Sequence, residues 1–177
     1  VQGGTLVLDS STVSSNGAAV AAGIYAGAGT SLWMVNDTLS GNVASVGSGG
    51  GMQIEENPAG AVVRGQVTNC SFVFNVAYSE LGTGGAIAGG GDSVVLKNNL
   101  FGPNYVGNGY NPVQCTRKLG RGGPNLQAPS AWQDGTQDAQ RAGLPVPEVT
   151  VTDTPLARET DLKRTDLQEL LLLEVAI

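Results

Sequence analysis

Histidine is absent from all 177 residues. The commonest general base near neutral pH and the commonest transition-metal ligand are therefore missing together. An ordinary serine triad is excluded with them. Charged side chains make up 14% of the chain, against about a quarter in typical globular proteins. With a net charge of −6 and no dense Lys/Arg run, the surface does not suit nucleic acid. No apolar run approaches the roughly 18–20 residues of a membrane span, and Leu170–Leu173 is far too short for one. Aromatics are sparse at 5%. The two cysteines, Cys70 and Cys115, have neither a CxxC nor a zinc spacing. A disulfide between them in an oxidising compartment and two unrelated thiols are both open readings. Val1-Gln2-Gly3-Gly4 lacks the basic start and apolar core of a signal peptide. Because the sequence opens directly in repeat-like residues, it reads as a mature or trimmed fragment.

What is present is glycine, 27 residues of it, beside an apolar fraction of 41%. That combination suits short strands joined by tight turns rather than a disordered tract. An apolar residue stands three places before an Asn at Val13/Asn16, Leu39/Asn42, Phe72/Asn75 and Phe101/Asn104. The Asn-to-Asn spacings are 26, 33 and 29 residues. Aligned on these Asn, two further columns appear: Ser10, Asn36, Asn69 and Asn98, and Leu8, Met34, Val67 and Leu96. Constant anchors with variable spacing are the mark of a solenoid, whose insertions emerge at turns without disturbing the stack.

The expected fold is all-β, a parallel β-helix of about four coils over residues 1–110. Val13, Leu39, Phe72 and Phe101 would stack in the core, and Asn16, Asn42, Asn75 and Asn104 would form a structural ladder. A carboxamide both donates and accepts, so it can satisfy backbone groups at a buried corner and its own neighbour at once. Glycines at 49–51, 84–85 and 89–91 would serve corners that need positive φ. The rival architecture is an antiparallel sandwich, which short strands also permit.

Gly84-Gly85-Ala86-Ile87, Phe72-Val73-Phe74-Asn75 and Phe101-Gly102-Pro103-Asn104 resemble the GGA(I/V/L) and FxxN tetrapeptides of polymorphic outer membrane protein repeats. The resemblance covers roughly residues 20–108. It implies a right-handed β-helix of the pectate-lyase-like superfamily, an extracellular or cell-surface location and, often, adhesion. It implies no catalytic set. Val13 and Leu39 stand where the motif has Phe.

From Asn111 onward the composition changes, with most of the prolines and basic residues lying there. Residues 111–152 read as an irregular Pro/Gly-rich extension anchored by Leu126, Trp132 and Leu144. Residues 153–177 read as a C-terminal helix, with Thr154 as N-cap and Pro155 at the first helical position. Its Leu167, Leu170 and Leu171 would cap the solenoid or bind a partner.

Chemistry is thinly signalled. A pectate-lyase-like enzyme needs an acidic cluster for Ca²⁺ and a basic residue. The weak candidates are Glu55, Glu56 and Arg64, with Asp9, Asp37, Glu80, Asp92 and Lys97 elsewhere in the repeats. Adjacent strand residues face opposite ways, which weakens the Glu55/Glu56 pair. No metal site or cofactor is expected otherwise, with Ca²⁺ entering only for a lyase. Asn36-Asp37-Thr38 and Asn69-Cys70-Ser71 are formal glycosylation sequons, although both Asn occupy a ladder column. The reading that follows is a non-catalytic, secreted or surface-exposed structural or adhesive β-helix. Its partner would be a protein or further copies of itself, met through coil ends or the C-terminal helix, with no membrane span. A polysaccharide lyase or glycoside hydrolase, and a carbohydrate-binding module using Tyr25 and Trp33, are the alternatives.

Overall fold

Short runs of alternating apolar and polar residues, two to five long, build the walls of the molecule, and Gly, Asn and Ser turn its corners. In a computed structural model the described residues are 1–55, 60–78, 84–107, 111–116, 119–123, 125–127 and 154–155. They form an all-β parallel solenoid of about three turns, with no helix among them. Four walls surround the core. Sheet A contains Thr5–Asp9, Ser31–Val35, Arg64–Thr68, Val94–Lys97 and Gly120–Arg121. Sheet B contains Thr12–Ser14, Thr38–Ser40, Ser71–Val73, Leu100–Phe101, Leu126–Gln127 and Thr154–Pro155. Sheet C contains Gly17–Ala18, Val43–Ala44, Val76–Ala77, Tyr105–Val106 and Asn111–Pro112; sheet D contains Ile24–Ala26, Met52–Ile54 and Ile87–Gly89.

The chain runs A, B, C, D and returns to A one rung on, about 4.8 Å along the axis. Neighbouring strands pair in parallel except Tyr105–Val106 with Asn111–Pro112. Parallel pairing removes the sandwich, whose hairpins would pair antiparallel.

Period-2 alternation sends one set of side chains inward. Leu8, Met34, Val67 and Leu96 are register partners in sheet A. Val13, Leu39, Phe72 and Phe101 are partners in sheet B, and the last three are fully buried. Phe72 and Phe101 stack with ring centroids 5.0 Å apart. Met52, Ile54 and Ile87 close the core from sheet D. A smaller cluster of Ala22, Ala44, Ala77 and Val106 lines sheet C.

Two glycines show why side chains are excluded at close approaches. Gly65 faces inward between Leu32 and Val94 with φ of +152°, and a Cβ there would lie 1.8 Å from the Leu32 carbonyl oxygen. At Gly85 a Cβ would lie 2.6 Å from the Tyr105 amide of the next rung.

Residues beyond 110 differ from the expectation in detail. Gly120–Arg121 and Leu126–Gln127 continue sheets A and B in parallel register. Thr154–Pro155, expected as N-cap and first helical position, pair as a short strand against Leu126–Gln127. Pro lacks an N–H and holds the preceding residue extended, both of which suit an edge strand. The rest of the expected helix, with Leu167, Leu170 and Leu171, lies outside the described residues, as do Trp132 and Leu144.

Candidate functional site

Buried polar side chains are the first place to look for chemistry, because burial must be offset by specific contacts. At the corner between sheets B and C, four Asn form a file. The Nδ2 groups of Asn16, Asn42 and Asn75 each donate to the Oδ1 of the next Asn, all at 2.9 Å. Each of those Oδ1 atoms also accepts the backbone N–H of the preceding Asn, at 3.0–3.2 Å. The second Nδ2 hydrogen reaches the carbonyls of Val13, Leu39 and Phe72 from Asn42, Asn75 and Asn104. Gln114 Oε1 accepts from Asn104 at 2.7 Å and so takes the next place in the file. Asn42, Asn75 and Asn104 are completely buried, and Asn16 is exposed at the end.

A second file, not recognised in the sequence, occupies the corner between sheets A and B. It runs through Ser11, Asp37, Cys70, Asn99 and Asn125. Asp37 Oδ1 accepts the Ser11 N–H (2.8 Å), Asn99 Oδ1 the Cys70 N–H (2.8 Å), and Asn125 Oδ1 the Asn99 N–H (3.0 Å). Between Asp37 and Cys70 the acceptor is the thiol, with Asp37 N–H to Cys70 Sγ at 3.5 Å. Ser11, Asp37, Cys70 and Asn99 each stand five residues before an Asn of the first file. That constant offset was available in the sequence.

Burial pushes the Asp37 carboxyl above its ordinary range, against the lowering effect of N–H donors from Ser11 and Val35, while the nearby Asp9 charge raises it further. Burial likewise pushes the Cys70 thiol up to about 11, and the fully enclosed Cys115 thiol upward as well. The two cysteines are not bonded to each other: both are free, buried thiols. Cys70 sits at the A–B corner and Cys115 bridges to Ile87 of sheet D, so they belong to different walls. Neither is activated, since reactivity belongs to the thiolate.

Among the described residues the acidic candidates on the outside do not form one cluster. Glu55 follows sheet D, and its Oε2 accepts the Ala28 N–H at 2.6 Å, fastening the turn of the rung below. Partial burial, then hydrogen bonding to Glu55 and the charge of Glu55, hold the Tyr25 phenol above its ordinary value. Arg64 opens a strand of sheet A and is exposed. It lines an open groove of about 410 Å³ with Gly29, Thr30, Ser31, Gly60, Ala61 and Val62. Glu56 and Glu80 lie outside the described residues. Asp9 ends a strand of sheet A, Asp92 precedes the fourth strand of that sheet, and Asp37 is buried. Among the described residues no three His, Cys, Asp or Glu side chains gather as a metal site would require.

Asn36 and Asn69, the sequon residues, are exposed corner residues with φ of 58° and 53°. Asn69 Nδ2 donates to Asn36 Oδ1 at 3.3 Å. Ser10 and Asn98 have the same left-handed conformation one rung below and above, which Asn tolerates better than most residues. Trp33 and Tyr25 are exposed at 48% and 37% but stand on different walls, A and D.

No family model and no solved structure matches the chain. A stretch of 31 residues, 18% of the chain, is 71% identical to part of an alpha-(1->3)-arabinofuranosyltransferase of Mycobacterium tuberculosis (strain ATCC 25618 / H37Rv). The match spans 2% of that protein's length.

Proposed function

We propose that this chain is a structural or adhesive β-solenoid, secreted or exposed at a cell surface, part of a larger chain or assembly, and without catalytic activity. The observation that carries the reading is the use made of the buried polar side chains. Asn42, Asn75, Asn99, Asn104, Asn125 and Asp37 each hold a neighbouring rung. Their hydrogen-bonding capacity is directed along the axis rather than towards a cleft. Glu55, the one acid of the weak catalytic set that is described, is likewise fastened to a turn.

The finer architecture belongs to the same proposal. We read residues 94–106 as a fourth rung and the winding as right-handed, the hand that parallel crossovers almost always take. The GGAI and FxxN tetrapeptides are read as polymorphic outer membrane protein-type repeats. Gly85 sits where a rung passes too close for a Cβ, and Phe72 and Asn75 supply core and ladder, so each motif has a physical role here. That family's surface location supports the extracellular assignment. Leu167, Leu170 and Leu171 are assigned to capping or to a protein partner. A 31-residue match is too short to transfer a glycosyltransferase activity.

The location is tested by treating intact cells that produce the full-length protein with a membrane-impermeant biotin reagent. Labelling of intact cells is expected; labelling only after lysis overturns the assignment. The non-catalytic reading is tested on acidic polysaccharides with added Ca²⁺. Unsaturated or hydrolysed product that disappears in Glu56→Ala would overturn it.

A further inference from the structure

We infer that Asn16 is a site of spontaneous covalent modification, at which the Gly17 backbone nitrogen closes on the side-chain carboxamide and expels ammonia. The inference does not depend on the location or the adhesive reading above.

The file at the B–C corner supplies its own comparison. Asn16, Asn42, Asn75 and Asn104 occupy one column and are followed by Gly17, Val43, Val76 and Tyr105. In the three later rungs the N–H of the following residue is tied down. Val43 donates to the Asn16 carbonyl, Val76 to that of Asn42 and Tyr105 to that of Asn75, each at 2.8 Å. Gly17 has no such acceptor among the described residues. Its strand lies at the end of sheet C and pairs only with Val43–Ala44. The bonds from that next rung reach the Asn16 and Ala18 carbonyls and pass over Gly17. In a parallel ladder the residue passed over turns its N–H and C=O to the opposite side. Here that side is the edge of the sheet.

Space and burial favour the same residue. Asn16 and Gly17 are exposed, whereas Asn42, Asn75 and Asn104 are completely buried. A Cβ at Gly17 would meet nothing within 4 Å, so nothing crowds the nitrogen. To bring it to Asn16 Cγ, the peptide between the two residues must turn. That turn breaks the bond from Val43 and the Asn16 contacts to Asn42 Oδ1, at a sheet edge, where local opening costs least. The same turn at Asn42 would break bonds to the rungs on both sides of a buried corner.

The step needs only water. The Gly17 nitrogen bonds to Asn16 Cγ, the Cγ–Nδ2 bond breaks, and the proton lost from the nitrogen leaves with Nδ2 as ammonia. Water then adds to one of the two carbonyls of the cyclic imide. Opening at Cγ leaves aspartate; opening at the backbone carbonyl leaves isoaspartate, with one extra carbon in the main chain. Either product ends the file one rung early. A carboxylate oxygen then faces Asn42 Oδ1 where a donor stood at 2.9 Å. Isoaspartate also moves Gly17–Ala18 out of register with Val43–Ala44.

The experiment incubates the full chain, native and in urea, in mildly acidic and mildly alkaline buffer. Peptide mass spectrometry, with an isoaspartate-specific methyltransferase, reads each Asn separately in wild type and Gly17→Val. Valine follows the Asn in the next two rungs, so the variant suits the column. In the native chain Asn16 should gain one mass unit at least about tenfold faster than Asn42, Asn75 or Asn104, which must first be exposed by opening. The rate should rise with pH, because the attacking amide must lose its proton. It should fall about tenfold or more in Gly17→Val, whose β-branched side chain stiffens and crowds the site. Amide exchange at Val43 should quicken once Asn16 is modified, since its acceptor is the Asn16 carbonyl. An Asn16 carboxamide that persists in the native chain overturns the inference, whether or not it reacts in urea. Equal native reaction at all four Asn, or product undiminished in Gly17→Val, overturns it as well.

Discussion

Phe72 and Phe101 lie face to face, their ring centroids 5.0 Å apart and their planes within 6°. Both are fully buried, and they are register partners on adjacent rungs of sheet B. A parallel stack at this position follows from the architecture, which repeats the same side-chain direction at every rung. Removing either ring should open a cavity that rigid walls cannot close. Phe72→Ala is expected to cost about 3–5 kcal/mol in urea unfolding, and Phe72→Leu clearly less. Equal, small losses for both would mean the rings are not packed as described.

The Asn file should show a strong dependence on position. Asn75→Ala leaves the Asn42 N–H and Nδ2–H without their acceptor and the Leu39 carbonyl without a donor. At about 1–3 kcal/mol for each buried group left unpaired, a loss of about 3 kcal/mol or more is expected. Asn16→Ala removes a single exposed donor and should cost under about 1 kcal/mol. Thermal melts of the two variants decide it.

Asp37 makes stability depend on pH in a defined direction. Its folded-state value is raised, so the unfolded chain ionises first as pH increases. The stabilising contribution is full below the ordinary aspartate range, near 3.9. It declines as pH rises from there and is lost above the raised folded value. Melting temperatures across the acid range should show this component in wild type and lose it in Asp37→Asn. An unchanged pH profile in the variant would assign the dependence elsewhere.

Cys70 and Cys115 should be silent in the native protein. Both are buried, and the Cys70 thiol is pushed up to about 11. A chromogenic disulfide reagent at pH 8 should find neither thiol until denaturant is added, and both afterwards. Rapid native labelling, or an intact disulfide by mass, would contradict this.

Gly65→Ala tests the closest approach in sheet A. The new methyl group would meet the Leu32 carbonyl at 1.8 Å in a backbone conformation hostile to side chains. A loss of more than about 2 kcal/mol is expected from overpacking and strain together. A neutral result would require the strand to shift, visible as altered amide exchange at Leu32.

The first Asn file and the sheet B stack could be read in the sequence because chemically similar residues recur there, and buried corners and layered cores tolerate little else. Val13, Leu39, Phe72 and Phe101 vary in size but not in character. The second file is hidden in the sequence for the opposite reason. Ser11, Asp37, Cys70, Asn99 and Asn125 look unrelated, yet four of them are joined by a side-chain acceptor taking the N–H of the preceding member. A carboxylate, a thiol and a carboxamide all do that. Asn36 and Asn69 share a column with Ser10 and Asn98; their side chains touch, and what all four have in common is a left-handed corner conformation. Thr154–Pro155 illustrates a local signal with two meanings: Pro after Thr suits a helix start and an edge strand alike, and only the pairing with Leu126–Gln127 separates them.

The carboxamide file at the B–C corner also has a sense. From Asn16 to Gln114 every link donates towards higher residue numbers and accepts from lower ones. The small dipoles therefore point the same way, and each bond polarises the next. The column therefore has a direction and works as an arrow rather than a symmetric peg.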